Sequence, residues 1–93
     1  MSNLQNTKTM NYNLLYKVGK NENYKTYTKG QFKDVHNVFN SLRERAAAKS
    51  FTMTKRSQGN MGVILTYSRG TESVVFIICN DEELRLWWSN KVA

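Results

Sequence analysis

Apolar and polar residues alternate along residues 10–18, MNYNLLYKV, and this period of two predicts a half-buried strand. The apolar face of that strand is formed by Met10, Tyr12, Leu14, Tyr16 and Val18. Gly19 ends the pattern, and the polar stretch after it, KNENYKTYTK, is expected to be a loop or a short edge segment.

A helical period replaces the alternation between residues 28 and 49. Thr28 and Gln31 have the spacing of a capping box, which predicts that the helix begins there. At about 100° per residue, six apolar side chains fall within an arc of about 120°. They are Phe32, Val35, Val38, Phe39, Leu42 and Ala46. This stripe predicts an amphipathic helix packed on a sheet.

Three strand-like runs separated by two turns, SQGN and RGTE, occupy residues 51–80. The last run, SVVFIICN, is apolar on both faces and is therefore predicted to be the central or best-covered strand. The next residues, NDEELRLWWSNK, predict a short helix with Asn80 as its N-cap and Glu83 at the third position. Three acids in its first turn favour the positive end of the helix dipole.

These elements predict an α+β fold in the order β-α-β-β-β-α. We expect an antiparallel sheet of about four strands, with one main helix packed on it and the first strand joining an edge. At 93 residues the chain suits one domain, assigned to residues 10–93. The polar residues 1–9 are predicted to be a flexible N-terminus.

Positive charge is concentrated in the first three quarters of the chain. Residues 1–70 contain twelve Lys or Arg against three acids, whereas residues 71–93 contain two against four. Such asymmetry favours contact with nucleic acid or with an acidic protein surface, although basic composition also serves solubility. No 18-residue apolar run and no secretory signal are found, and the one cysteine fits a reducing compartment. We therefore expect a cytoplasmic protein without membrane contact.

Cations from several segments are the candidates for binding phosphate. They are Lys55, Arg56 and Arg69 beside the turns, with Arg43, Arg45 and Lys49 at the end of the main helix. The helix dipole is a structural alternative for the second group, but it does not explain the first. Tyr67 is predicted to stack on unpaired bases or on ribose, although tyrosine is also a common strand residue.

The C-terminal helix carries Leu86, Trp87 and Trp88 and is apolar on nearly every side. An all-round apolar terminal helix predicts a homodimer or partner interface, with packing of the tryptophans into a small core as the alternative.

Catalytic chemistry finds little support in the sequence. His36 is expected on the helix surface beside the apolar stripe, and Cys79 is expected to be a small buried hydrophobe. The consecutive acids Asp81, Glu82 and Glu83 point in different directions on a helix and do not converge on a metal. We predict no catalytic residues, no metal and no cofactor.

From residue 28 onward the predicted order α-β-β-β-α is similar to that of double-stranded RNA-binding domains. That family meets phosphates with a lysine-rich start of its second helix, where this chain has Asp81, Glu82 and Glu83. The small basic chain also resembles RelE-type ribonuclease toxins, which cleave RNA without metal. On that resemblance Arg56, Tyr67 and Arg69 would occupy the RNA surface, but the family's pair of N-terminal helices and its basic C-terminal ending are absent.

The compact Asn, Lys and Tyr-rich composition, as in YNLLYKVGKNENYKTY, resembles small accessory proteins of T-even-type phages. Among these, the TifA-like RNA-binding inhibitors of host ribonuclease toxins match the size and charge. The resemblance implies a non-enzymatic, RNA-binding counter-defence protein that inhibits a host toxin through an RNA-bridged complex, with RNA favoured over DNA. The alternatives are a protein-only inhibitor of a host protein and, third, a metal-independent RelE-like ribonuclease.

Overall fold

A single sheet organises residues 10–93, which are the residues that the computed structural model describes. Its strands are β1 (Tyr12–Val18), β2 (Lys25–Gly30), β3 (Thr52–Gly59), β4 (Gly62–Arg69) and β5 (Glu72–Asn80). They pair in the order β2-β1-β5-β4-β3, and every neighbouring pair is antiparallel. The predicted flexible N-terminus, residues 1–9, lies outside the described residues.

One face of the sheet carries the helix α1 (Phe32–Ala48) and the larger part of the core. Val35 and Phe39 of α1 pack on Leu14 of β1 and on Phe76 and Ile78 of β5. The backbone of α1 runs closest to β1 and β2. The β3–β4 side of the same face is therefore less covered by the helix.

The opposite face is covered by the C-terminal helical segment. This segment consists of α2 (Asp81–Glu83), a π-helical turn (Leu84–Trp88) and a 3-10 turn (Ser89–Lys91). Trp88 packs with Leu15, Ile77 and Cys79, whose side chains alternate with those of the first face. Its indole Nε1–H donates to the backbone carbonyl of Met61 at 2.8 Å, which ties the segment to the β3–β4 turn.

The α+β class, the antiparallel sheet and the central place of β5 are confirmed. The count of about four strands and the order β-α-β-β-β-α are wrong by one strand, because they omit β2. The β2 sequence, KTYTKG, is largely polar and forms an edge strand, so it has no buried face that hydrophobic alternation could reveal. The first strand was expected to join an edge of the sheet, but β1 lies between β5 and β2, and β2 forms the edge.

The predicted start of α1 is also wrong. Thr28 pairs with Leu14 inside the sheet, so it cannot cap a helix. α1 begins at Phe32, and Gln31 at the N-cap makes no side-chain capping hydrogen bond. The second predicted cap is confirmed: Asn80 accepts from the Glu83 N–H at 2.7 Å, and Glu83 Oε1 accepts from the Asn80 N–H at 2.9 Å.

Within residues 10–93, none of the helices combines the length and the apolar composition that a bilayer crossing requires.

Candidate nucleic-acid interface

A groove of about 310 Å³ runs between α1 and the β3–β4 hairpin on the helix-covered face. Its floor is apolar and is formed by Phe39, Val63, Leu65 and Ile78. Its rim is formed by charged, polar and aromatic side chains, namely Phe32, His36, Arg43, Arg56 and Gln58. We call these five rim residues the groove site.

Strand register brings Arg56 to the groove. Arg56 pairs with Leu65, and Gln58 pairs with Val63. Partners across an antiparallel pair share a face, and both β4 residues belong to the core beneath α1. The Arg56 Nη2 donates to Gln58 Oε1 at 3.0 Å, which orients the guanidinium along the rim.

Helical spacing brings Arg43 to the same groove from the other side. At about 100° per residue, Arg43 lies within about 40° of both Phe39 and His36 on the surface of α1. Arg43 also lies close enough to the core to act on Tyr67. Burial raises the pKa of the Tyr67 phenol, and the positive charge of the Arg43 guanidinium opposes that rise. Arg43 and Arg56 therefore approach one groove from separate elements.

An aromatic surface adjoins the two guanidinium groups. Phe32 is half exposed, stacks on His36 with ring centroids 5.4 Å apart, and meets Tyr12 edge to face. His36 Nδ1 lies 3.3 Å from the amide nitrogen of Asn40. Exposed aromatic rings beside cations are the combination with which proteins hold unpaired bases next to phosphates.

Carboxylates do not neutralise this rim. The salt bridges found among the described residues join Arg69 to Glu72 and Arg85 to Glu82, and neither includes Arg43 or Arg56. Among residues 10–93, no acidic side chain lines the 310 Å³ groove. The site therefore offers two unopposed positive charges above an apolar floor.

Lys55 and Arg56, grouped together from the sequence, lie on opposite faces of the β3–β4 hairpin. Lys55 pairs with Thr66, which points to the face opposite Leu65. A bulge at Thr54 interrupts the register just before Lys55. Cations and a bulge on an exposed edge strand also discourage pairing with a second chain, and this is a structural role for Lys55.

Arg69 contacts three parts of the fold around the β4–β5 turn. Its Nε and Nη2 donate to Glu72 Oε1 at 2.9 and 2.6 Å, and its Nη1 donates to the Lys49 carbonyl at 2.7 Å. Its guanidinium also lies 4.7 Å from the centre of the Phe51 ring. Three of the N–H groups of Arg69 are therefore bonded within the fold and its charge is paired with Glu72, so its predicted role in binding phosphate, which stays a prediction, would compete with these contacts.

Arg45 and Lys49 lie apart from the groove. Arg45 follows Arg43 by two residues and so points about 160° away around α1. Lys49 is the C-cap of α1, and its carbonyl accepts from Arg69. Both side chains are exposed, but neither lines the groove.

Two aromatic assignments are corrected by burial. The Tyr67 ring is 5% exposed and packs edge to face on Phe76, so it cannot stack on a base. Trp88 is 4% exposed and belongs to the core, so it cannot form a partner surface. Trp87 and Leu86 are about half exposed, at 46% and 57%, and remain available for contact.

His36 is exposed on the flank of α1, as expected, but its place in the groove was not predicted. Phe32 and Gln58 were also missed as site residues. The helical spacing that puts Phe32, His36 and Arg43 on one side of α1 was visible in the sequence. Only the sheet register shows which β3 and β4 residues lie opposite them.

Cys79 and the acidic run do not form a second site. Cys79 is fully buried, and burial together with Glu83 and Asp81 raises the pKa of its thiol to about 12. Residues 10–93 contain no group of three or more His, Cys, Asp or Glu side chains arranged to hold a metal ion.

Comparison of the chain with models of protein families, with curated proteins and with solved structures gives no match.

Proposed function

We propose that this protein is a non-enzymatic RNA-binding protein that holds a single strand in the groove site. The observation that carries the proposal is the convergence of Arg43 and Arg56, unpaired by carboxylates, on an apolar groove with an exposed Phe32 beside it. In this proposal the two guanidinium groups bind phosphate oxygens and the Phe32 ring stacks on a base.

Two phosphate contacts set the expected salt dependence. For single strands the logarithm of the binding constant falls by about 0.7 per phosphate contact for each unit of the logarithm of salt concentration. Arg43 and Arg56 together account for about 1.4 of that slope. Arginine suits the task because its planar fork binds phosphate in a bidentate way and stays charged at every physiological pH.

The preference for a single strand follows from the aromatic rim. A base can reach Phe32 only if it has left its stack with neighbouring bases, and each base stacked on a protein ring contributes about 1–3 kcal/mol. The preference for RNA over DNA rests on the resemblances given above. Inhibition of a host ribonuclease toxin through an RNA bridge stays a prediction.

Binding to fluorescently labelled oligonucleotides over a range of salt concentrations tests the proposal. We expect wild-type protein to bind single-stranded RNA more tightly than matched DNA or duplex, and to co-purify with nucleic acid that nuclease removes. Arg43→Ala/Arg56→Ala should weaken binding and lower the salt slope by about 1.4. The charge-matched control Arg45→Ala/Lys49→Ala removes two exposed cations outside the groove and should change both quantities much less.

Equal losses in the two double variants would show that net charge, and not the groove, governs binding. Protein that purifies free of nucleic acid and captures a partner regardless of nuclease treatment would favour the protein-only inhibitor. Cleavage of the RNA in the presence of chelator, abolished by Arg56→Ala, would favour the metal-independent ribonuclease.

A further inference from the structure

The groove site continues into a second hollow at the end of the β3–β4 hairpin. This hollow, of about 220 Å³, shares part of its lining with the groove, namely Phe32, Gln58, Val63 and Ile78. Its far end is bounded by Gly59 and Gly62, the last pair of the β3–β4 register. The two hollows are therefore adjoining stretches of one depression.

A third hollow, of about 280 Å³, continues the depression toward the opposite face of the sheet. It shares Gly59 and Gly62 with the second hollow and then passes Met61 and Ile64 to end at Trp87. Glycines have no side chain, so the hairpin presents only backbone where the surface passes from one face to the other. One open track thus connects Arg43 to Trp87 around the hairpin.

The Trp87 ring is presented to this track by the π-helical turn. Trp88 is fixed in the core by its hydrogen bond to Met61, while Trp87 is left 46% exposed against the hairpin. A half-exposed ring that lines an open hollow is a surface on which a planar base can stack.

The charge along the track changes from positive at its first end to negative in the middle hollow. Arg43 and Arg56 lie at its first end, whereas Lys55 lines none of the three hollows and only shares a face of the hairpin with Ile64. Glu83 lines the middle hollow, and its Oε1 accepts from the Asn80 N–H. A phosphate would be repelled there, whereas an N–H of a base could donate to the carboxylate.

We propose that Trp87 stacks on a base at the far end of a single strand whose first phosphates lie in the groove site. The inference rests on the proposed function and assigns to Trp87 the stacking role that the buried Tyr67 cannot perform. It requires a flexible single strand, because a duplex is too stiff to turn around one hairpin.

Tryptophan fluorescence with uridine oligomers of about 4 to about 16 nucleotides tests this inference. Long oligomers should quench the emission of wild-type protein, and Trp87→Phe should abolish the quenching because the buried Trp88 is not reached. Trp87→Ala should weaken binding of long oligomers by about 5- to 150-fold and leave short ones unchanged. Trp87→Phe should retain most of the affinity, and Leu86→Ala serves as a control because Leu86 is exposed but lies off the track.

Unchanged affinity of Trp87→Ala for every length, without quenching in the wild type, would overturn the inference. If Arg43→Ala/Arg56→Ala still loses binding in that case, the proposed function stands and only the role of Trp87 fails. A change in the sedimentation of the RNA-free protein on Trp87→Ala would assign the ring to contact between protein chains, which also overturns the inference. Circular dichroism checks that each variant is folded.

Discussion

Arg69 and Glu72 face each other across the β4–β5 turn, with two guanidinium nitrogens 2.9 and 2.6 Å from the same carboxylate oxygen. The third contact of Arg69, to the Lys49 carbonyl, joins this turn to the end of α1. A cation predicted to bind RNA therefore connects two parts of the fold.

Replacing Arg69 should lower stability and leave RNA binding nearly unchanged. Arg69→Ala removes the ion pair, the bond to the Lys49 carbonyl and the contact with the Phe51 ring. Because the pair is largely exposed, we expect a loss of about 1 kcal/mol in the free energy of unfolding. Glu72→Gln keeps the bond to Lys49 and should cost less; urea denaturation measures both. A flatter salt dependence of RNA binding in Arg69→Ala would instead place Arg69 in the site.

Gly62 is required by the approach of β4 to β5. Its φ is +102°, and a Cβ there would lie 2.5 Å from the carbonyl oxygen of Ile78. Gly62→Ala should cost about 2 kcal/mol or more, since the strained conformation and the clash with backbone add together. Gly59→Ala, at the other side of the same turn, has no heavy atom within 4 Å of the added Cβ and should be close to neutral. Similar thermal unfolding of the two variants would contradict this account.

The two adjacent tryptophans should respond differently to the same substitution. Trp88→Phe loses the hydrogen bond to Met61 and leaves that part-buried carbonyl without its donor, which costs about 1 kcal/mol. Trp87→Phe removes no hydrogen bond found in the structure and keeps an apolar ring in place, so stability should change by less than about 0.5 kcal/mol. Tryptophan emission of Trp87→Phe should be blue-shifted, because the remaining indole is buried. Equal stability losses would mean that the two rings are packed alike.

Cys79 should resist alkylation in the folded protein. Its thiol is buried and its pKa is raised from 9.0 to about 12, so almost no thiolate forms near neutral pH. Reaction with iodoacetamide at pH 8 should therefore follow the rate of unfolding and become fast only in denaturant. Mass spectrometry of native and denatured samples measures the difference, and rapid labelling of native protein would show that the thiol is reachable.

The same pKa shift predicts a loss of stability at alkaline pH. Between pH 9.0 and about 12 the unfolded chain releases the Cys79 proton while the folded chain keeps it, so the free energy of unfolding falls as pH rises. Below pH 9 this contribution is fully present. Cys79→Ser has no thiol to titrate and should show a shallower decline over that range in urea denaturation at successive pH values.

Elements specified by local pattern were predicted well. The alternation in β1, the hairpin turns between β3, β4 and β5, and the Asn80–Glu83 cap are all short-range features that neighbouring residues determine. β2 was missed because an edge strand with polar faces is held mainly by backbone pairing to β1, which leaves no hydrophobic signal.

The candidate site was predicted only in part, because strand register decides which cations meet. A single residue of register separates Arg56, in the groove, from Lys55, on the opposite face. Arg69 and Tyr67 have the right residue types for RNA binding, yet the fold places one in an ion pair and the other in the core.

The sequence by itself determined the α+β class, the basic character of the first 70 residues and the positions of most elements, since these depend on composition and on short periods along the chain. Only the tertiary structure decided that Arg43 and Arg56 share a groove and that Trp87 is exposed while Trp88 is buried. The first relation depends on sheet register, and the second depends on how the π-helical turn packs on the sheet. Local patterns along the chain specify neither.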